Sequence, residues 1–296
     1  MESRVQVAAL AARVDLQQTH LRRTKMTESA NGTALITGAS SGIGAIYADR
    51  LARRGYDLIL VARSQDALTS VAKDISDATG REVTTIRADL GQKGDLYKVE
   101  EVLRTDPSIT MLVNNAGVGA VEPLLTSNVD DMERMITVNV TALTRLVYAA
   151  APSFVSRGGG TIVNMASALG IAPEILNGVY GATKAYVIAL TFSLQKELSE
   201  KNVRIQAVLP GAVETPFWAA SGGSLESLPE QIIMKADDAV DAALAGLDIG
   251  ELITLPSVPD ADDWNAYEAA RQKLMPNLSR NVPAARYRTP EPAQTR

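Results

Sequence analysis

The segment TGASSGIG, Thr37 to Gly44, admits two incompatible readings. As G-x-S-x-G, residues 38–42 match the sharp turn that exposes a hydrolase's nucleophilic serine. As a glycine-rich turn, Gly38, Gly42 and Gly44 let a backbone approach a pyrophosphate at the start of a helix. A hydrolase serine needs a histidine to take its proton, and in that fold the histidine follows the serine. The chain has one histidine, His20, and it precedes both Ser40 and Ser41. The hydrolase reading fails. Glycines alone also suit an ordinary tight turn, so the surrounding pattern has to decide the rest.

That pattern is a strand–helix alternation. The runs 33–37, 57–62, 83–88, 109–115, 161–165, 203–209 and 251–256 are short and rich in β-branched or aliphatic residues. Several are almost continuously apolar, as expected of parallel strands covered on both faces. Between them, 43–55, 66–80, 93–104, 129–157 and 180–202 carry helical periodicity, several closed by glycine or asparagine. The expected fold is α/β, a doubly wound, Rossmann-like parallel sheet of seven strands in a single domain over 32–275. Residues 1–31 are expected to be a flexible or helical extension. The proline- and arginine-spaced tail, 276–296, is expected to be flexible.

Composition excludes several classes. A net charge of −5 offers no footprint for nucleic acid, and without cysteine there is neither a disulfide frame nor a cysteine–zinc site. No apolar run approaches the ~18 residues of a membrane helix. The apolar stretch VQVAALAARV (5–14) is interrupted by Gln6 and has Glu2 where a secretory signal wants positive charge. A cytoplasmic protein with no metal and no membrane partner is expected.

Tyr180 and Lys184 stand at i and i+4, on one face of a helix. An ammonium beside a phenol stabilises the phenolate and makes the phenol a usable proton donor and acceptor near neutral pH. The same spacing also arises in ordinary surface pairs. Ser167 ends the strand before this helix, Asn139 sits inside another helix, and Asn114–Gly117 ends a strand in amides and a glycine.

In order and spacing these motifs resemble the short-chain dehydrogenase/reductase family, over about Thr33 to Pro256. TGASSGIG resembles the family's TGxxxGxG, Asn114–Gly117 its NNAG, Tyr180–Lys184 its YxxxK, and Pro210-Gly211 its PG turn. The resemblance implies an oxidoreductase, with Tyr180 as general acid/base and Ser167 holding the substrate oxygen. Lys184 would lower the Tyr180 pKa and grip the nicotinamide ribose, and Asn139 would hold a relay water. It also implies a cofactor site from Gly38, Ser40, Ser41, Gly42, Ile43, Gly44, Asp89, Leu90, Asn115, Ala116, Gly117, Pro210, Gly211, Val213 and Thr215, and a homodimer or homotetramer.

The cofactor can be narrowed. NAD-binding versions place a carboxylate at the end of the second strand. That position is Ala62, followed by Arg63. A guanidinium welcomes a 2′-phosphate, so Arg63, with Ser64 or Ser40, favours NADP(H) over NAD(H). The competing reading is a solvated arginine at a loop start. The segments 168–178 and 216–234 are mostly apolar and suit a hydrophobic carbonyl or alcohol substrate, although Phe217 and Trp218 would equally serve to pack the loop down. An epimerase or dehydratase, or a non-catalytic dinucleotide sensor, are the alternatives. The first usually has different glycine spacing, and the second would have lost Ser167, Tyr180 or Lys184.

Overall fold

A computed structural model describes residues 31–287. Strands β1 (Thr33–Thr37), β2 (Asp57–Ala62), β3 (Val83–Arg87), β4 (Ile109–Asn114), β5 (Gly160–Met165) and β6 (Val203–Val208) lie parallel in the order 3-2-1-4-5-6. A short β9 (Ile253–Thr254) adds the seventh strand beside β6. All five residues of β1 are buried, and so are five of the six in β5. That burial explains the continuous apolar runs: a central parallel strand has no solvent face to make polar.

Helices α1 (Gly42–Arg53), α2 (Gln65–Thr79) and α8 (Ala236–Asp248) share a core cluster, in which Tyr47, Leu51, Leu68 and Val240 meet Ile36, Leu60 and Val113 of the sheet. Elsewhere α3 (Lys93–Thr105) packs against α5 (Leu143–Ser156), and α6 (Gly178–Leu198) packs on β6. The strand order reverses direction between β1 and β4, which leave a crevice beyond their carboxyl ends.

Three features depart from the expected elements. The single helix expected over 129–157 is α4 (Val129–Ile136), a π-helical stretch Thr137–Ala142, then α5. A 3.6-residue pattern does not reveal one wider turn, and such turns gather at functional sites. Helix α8 was not expected. It buries Ala236, Ala239, Val240, Ala243, Leu244 and Leu247, a clean helical stripe that its many alanines make faint in the sequence. Two-residue strands β7 (Ala212–Val213) and β8 (Ile233–Met234) form a separate parallel pair, too short for any alternation to show.

The chain divides after Pro256 into two compact units. The second, from Ser257, contains α9 (Ala261–Leu274), on which Trp264 and Tyr267 stack with ring centroids 5.2 Å apart. His20, the 5–14 stretch and the last nine residues lie outside the described residues.

One buried charge ties two helices together. The Glu100 side chain on α3 is 1% exposed and accepts from Arg104 of the same helix and from Arg145 of α5, the latter's Nη2 at 3.0 Å. Burial alone would raise its carboxyl, but the Arg145 and Arg104 hydrogen bonds outweigh this and hold it below the usual range. Such a group contributes stability above the unfolded carboxylate pKa of about 4.3, and loses it as pH falls through the lower folded value. Glu100→Gln should therefore destabilise the fold by about 1–2 kcal/mol at pH 7, with both arginines half exposed and partly screened. In urea titrations the gap to wild type should close as the pH falls below about 4.

Candidate active site

The turn that opens α1 is built by close approach. An added Cβ at Gly44 would lie 2.3 Å from the Gly38 carbonyl oxygen and 2.5 Å from Asn115 Nδ2, so no other residue fits there. Gly38 takes φ +66° and Gly42 φ +52°, the left-handed region that favours glycine. Thr37 Oγ1 accepts from the backbone N–H groups of Asn115 and Ala116, at 3.1 and 3.0 Å. Asn115 Nδ2 returns bonds to the Thr37 and Gly38 carbonyls, at 3.0 and 3.2 Å. Ser41 occupies the N-cap of α1 without a side-chain capping bond, leaving first-turn amides available to an anion. The cradle fits a pyrophosphate.

Other expected cofactor residues gather along the same edge. Thr215 returns to the turn, its side chain 3.2 Å from where a Gly42 Cβ would be. Val213 is buried, and its carbonyl accepts from Trp218 Nε1 at 3.0 Å. The Pro210 carbonyl accepts from Ala168 N–H at 2.9 Å, while Gly211 beside it is exposed. Ile43 is partly buried against the core, and Leu90 is buried. The Asp89 carboxylate is already engaged, by Gly91 N–H at 3.0 Å and Arg134 at 3.2 Å. Arg63 is exposed just past β2. Ser64 turns away to cap α2, accepting from Ala67 N–H at 3.4 Å.

The four expected catalytic residues come from three segments, with Tyr180 and Lys184 on one helix, and are all buried. Ser167, just past β5, donates to the Pro210 carbonyl at 3.4 Å and accepts from Leu169 N–H at 3.2 Å. Tyr180 sits in the first turn of α6, whose N-cap Asn177 accepts from the N–H groups of Val179 and Tyr180. Burial pushes the Tyr180 phenol up to about 12, with a hydrogen bond from Ser167 acting in the opposite sense. Burial likewise pushes the Lys184 ammonium down to about 8. Its Nζ donates to the Met165 carbonyl at 2.8 Å and lies 5.7 Å from the Tyr180 ring centroid.

Burial outweighs any lowering of the phenol by Lys184 in this structure. The ammonium is anchored to β5, alongside the ring, and desolvation of the phenolate prevails. Asn139, in the π-helical stretch, receives Val118 N–H at 2.9 Å, donates to the Val118 carbonyl at 2.9 Å and to Thr183 Oγ1 at 3.1 Å. Thr183 in turn donates to the Tyr180 carbonyl at 2.7 Å. The Asn139 side chain thus anchors the segment after Gly117 to the Tyr180 helix.

Apolar groups wall this centre. Met132, Met135 and Tyr180 form one cluster with Val118, Leu169, Val179 and Phe217. The Phe217 ring lies 5.7 Å from that of Tyr180 and presses on Gly119, where an added Cβ would be 2.4 Å from Phe217 Cζ. The two aromatic neighbours divide the alternatives left open by the sequence: Phe217 faces the tyrosine, and Trp218 ties down its own loop. Thr37, Thr183 and Gly119 were not expected at the site. A strand-ending threonine beside the glycine turn is a usable signal, but Gly119 becomes visible only through Phe217.

Comparisons with known proteins agree with this geometry. Residues 32–224 match the family model described as short chain dehydrogenase. A short-chain dehydrogenase from Sphingobium yanoikuyae, solved in complex with NADPH, is 47% identical, with a TM-score of 0.84 over 86% of this chain and all of that one. The bulky-bulky ketone specific alcohol dehydrogenase from Comamonas testosteroni is 43% identical, with a TM-score of 0.80 over 86% of this chain and 98% of its own. Very-long-chain 3-oxoacyl-CoA reductase-A of Danio rerio is 38% identical over 205 residues, 68% of this chain but only 64% of the relative. The chain belongs to the short-chain dehydrogenase family and is an oxidoreductase. Among the described residues no helix is long and apolar enough to cross a membrane.

The buried ammonium has a thermodynamic signature. Between pH 8 and 10.5 the unfolded lysine holds its proton while the folded one releases it, so stability rises with pH across that window. Wild type should gain up to about 3 kcal/mol on Lys184→Met over this interval, read from urea titrations at each pH. A constant difference would show that the ammonium is solvated in the folded protein.

Proposed function

We propose that the chain is an NADP(H)-dependent carbonyl reductase and alcohol dehydrogenase acting on ketones with bulky apolar substituents. The observation that carries this reading is the Tyr180–Ser167 pair inside an apolar wall, with Lys184 fixed behind it. NADPH in the Sphingobium relative and the ketone preference named for the Comamonas enzyme support the cofactor and substrate class. Arg63, next to Ala62 at the position where NAD enzymes hold an acid, supports the phosphorylated form.

The cofactor, when bound, supplies or accepts the hydride. The chain's own residues manage the proton and the geometry. Ser167 Oγ donates to the carbonyl oxygen and aligns it with the phenol. Tyr180, protonated across the physiological range, donates its proton to that oxygen as negative charge develops on it. In the alcohol-oxidising direction the phenolate must take the proton, and a cationic Lys184 close to the ring then opposes the burial penalty. Gly38, Ser40, Ser41, Gly42, Ile43 and Gly44 hold the pyrophosphate, while Asn115, Ala116, Gly117, Val213 and Thr215 border the nicotinamide half. With its side chain committed to Val118 and Thr183, Asn139 holds any relay water through the main chain. A cytoplasmic homodimer or homotetramer belongs to this reading on family resemblance alone.

The test is a panel of aldehydes and ketones scored by NADPH consumption, with Tyr180→Phe alongside. Ketones bearing two bulky apolar groups should give the highest kcat/KM. Tyr180→Phe should lose at least about a thousand-fold in kcat while its NADPH affinity stays within a few-fold, because the ring and its packing remain. Retention of more than a tenth of the turnover would remove the phenol from the proton-donor role.

A further inference from the structure

Arg87 ends β3 and stands opposite Ala62 in the parallel register. Residues in register on neighbouring strands project to the same face. Ala62 faces the core shared with α1 and α2. Thr85, two residues earlier on β3, meets Gln65 Nε2 of the first turn of α2 at 3.2 Å, which confirms the direction. Arg87 therefore leaves the sheet on the α1–α2 face, one step nearer the carboxyl edge than the Gln65 contact. Its side chain is exposed, and its Nε donates to the Arg63 carbonyl at 3.3 Å.

Two arginines are thus joined where the ends of β2 and β3 meet. Neither forms an ion pair among the described residues. The acids nearby are otherwise placed. Asp66 lies in the first turn of α2. Asp95 is held by Lys98 and the Asp89 amide, and feels Arg87 only as a weaker, more distant charge. Two exposed guanidiniums without an acidic partner, rooted at adjoining strand ends, offer a dianion planar, multidentate donors. Among the groups of a dinucleotide, a ribose phosphomonoester has that charge and chemistry.

We propose that Arg87 is a specificity-determining residue that binds the 2′-phosphate of NADP(H) together with Arg63, an inference that rests on the NADP(H) reading above. The bond from Arg87 Nε to the Arg63 carbonyl holds the Arg87 side chain at the end of β2, where Arg63 begins the loop. Loss of Arg87 should then weaken phosphorylated nucleotides and spare unphosphorylated ones.

Direct binding of NADPH, NADH, 2′-AMP and 5′-AMP should be measured by calorimetry on wild type, Arg87→Gln, Arg87→Lys and Arg63→Gln. Arg87→Gln should weaken NADPH and 2′-AMP about ten-fold, with NADH and 5′-AMP within two-fold, and Arg87→Lys should recover part of the loss. NADH binding doubles as the check that each variant is folded. An unchanged NADPH/NADH ratio in Arg87→Gln, with a shifted ratio in Arg63→Gln, overturns the role of Arg87 and leaves the cofactor reading intact. A wild type that binds NADH as tightly as NADPH overturns both.

Discussion

The site depends on how closely β1 and β4 are tied at their carboxyl ends. Thr37 gives one hydroxyl oxygen to two amides of the Asn115 loop, and the Asn115 side chain answers with two bonds to the Thr37–Gly38 backbone. These four bonds bridge the point where the strand order reverses. They draw the glycine turn and the Asn115–Gly117 loop together until a Gly44 Cβ would collide with backbone. A parallel sheet opens a crevice at that point in any case. What Thr37 and Asn115 add is its width. With the turn held down, the amides at the start of α1 face the crevice, and Gly117 passes within 3.6 Å of Lys184 Nζ, measured from its would-be Cβ.

The catalytic centre is arranged by burial as much as by charge. An ammonium and a phenol, both nearly inaccessible, each suffer desolvation, and it moves their pKa values in opposite directions, the lysine's down and the tyrosine's up. The Met165 carbonyl stabilises the ammonium and fixes its height beside the ring, tying the position of Lys184 to β5. Ser167, just beyond the same strand, is set by the Pro210 carbonyl from the end of β6. The serine and the lysine therefore share a strand as their common reference.

Much of this was legible in the sequence, for identifiable reasons. Strands such as TALIT and DLILVA announce themselves because both faces are covered, and Gly44 because no side chain fits. What escaped was whatever depends on one local deviation or on a distant partner. The π-helical turn around Asn139 shifts a single hydrogen-bond step, invisible to a periodic pattern. Helix α8 hid behind alanines, which carry little hydrophobic signal while packing closely. The i, i+4 spacing of Tyr180 and Lys184 correctly put them on one face, but spacing says nothing about depth. The direction of the phenol's shift is a property of the packed core.

The same contrast separates the two halves of the crevice. On the glycine-turn side, the crevice is lined by close backbone approach and by groups at strand ends, positions that the sheet register fixes to within a residue. On the apolar side the wall beside Tyr180 includes Phe217, carried by the four-residue helix Phe217–Ala220 between β7 and β8. That helix is held by Ser221: its carbonyl accepts from Val121 N–H at 3.2 Å, and its hydroxyl donates to the Phe217 carbonyl at 2.8 Å. Trp218 Nε1 adds a bond to the Val213 carbonyl at 3.0 Å, so the ring beside Tyr180 is carried by a segment tied to β7 and to the Val121 loop. The ring's place beside the phenol depends on the glycine at 119, because any side chain there would fill the space that the Phe217 ring occupies.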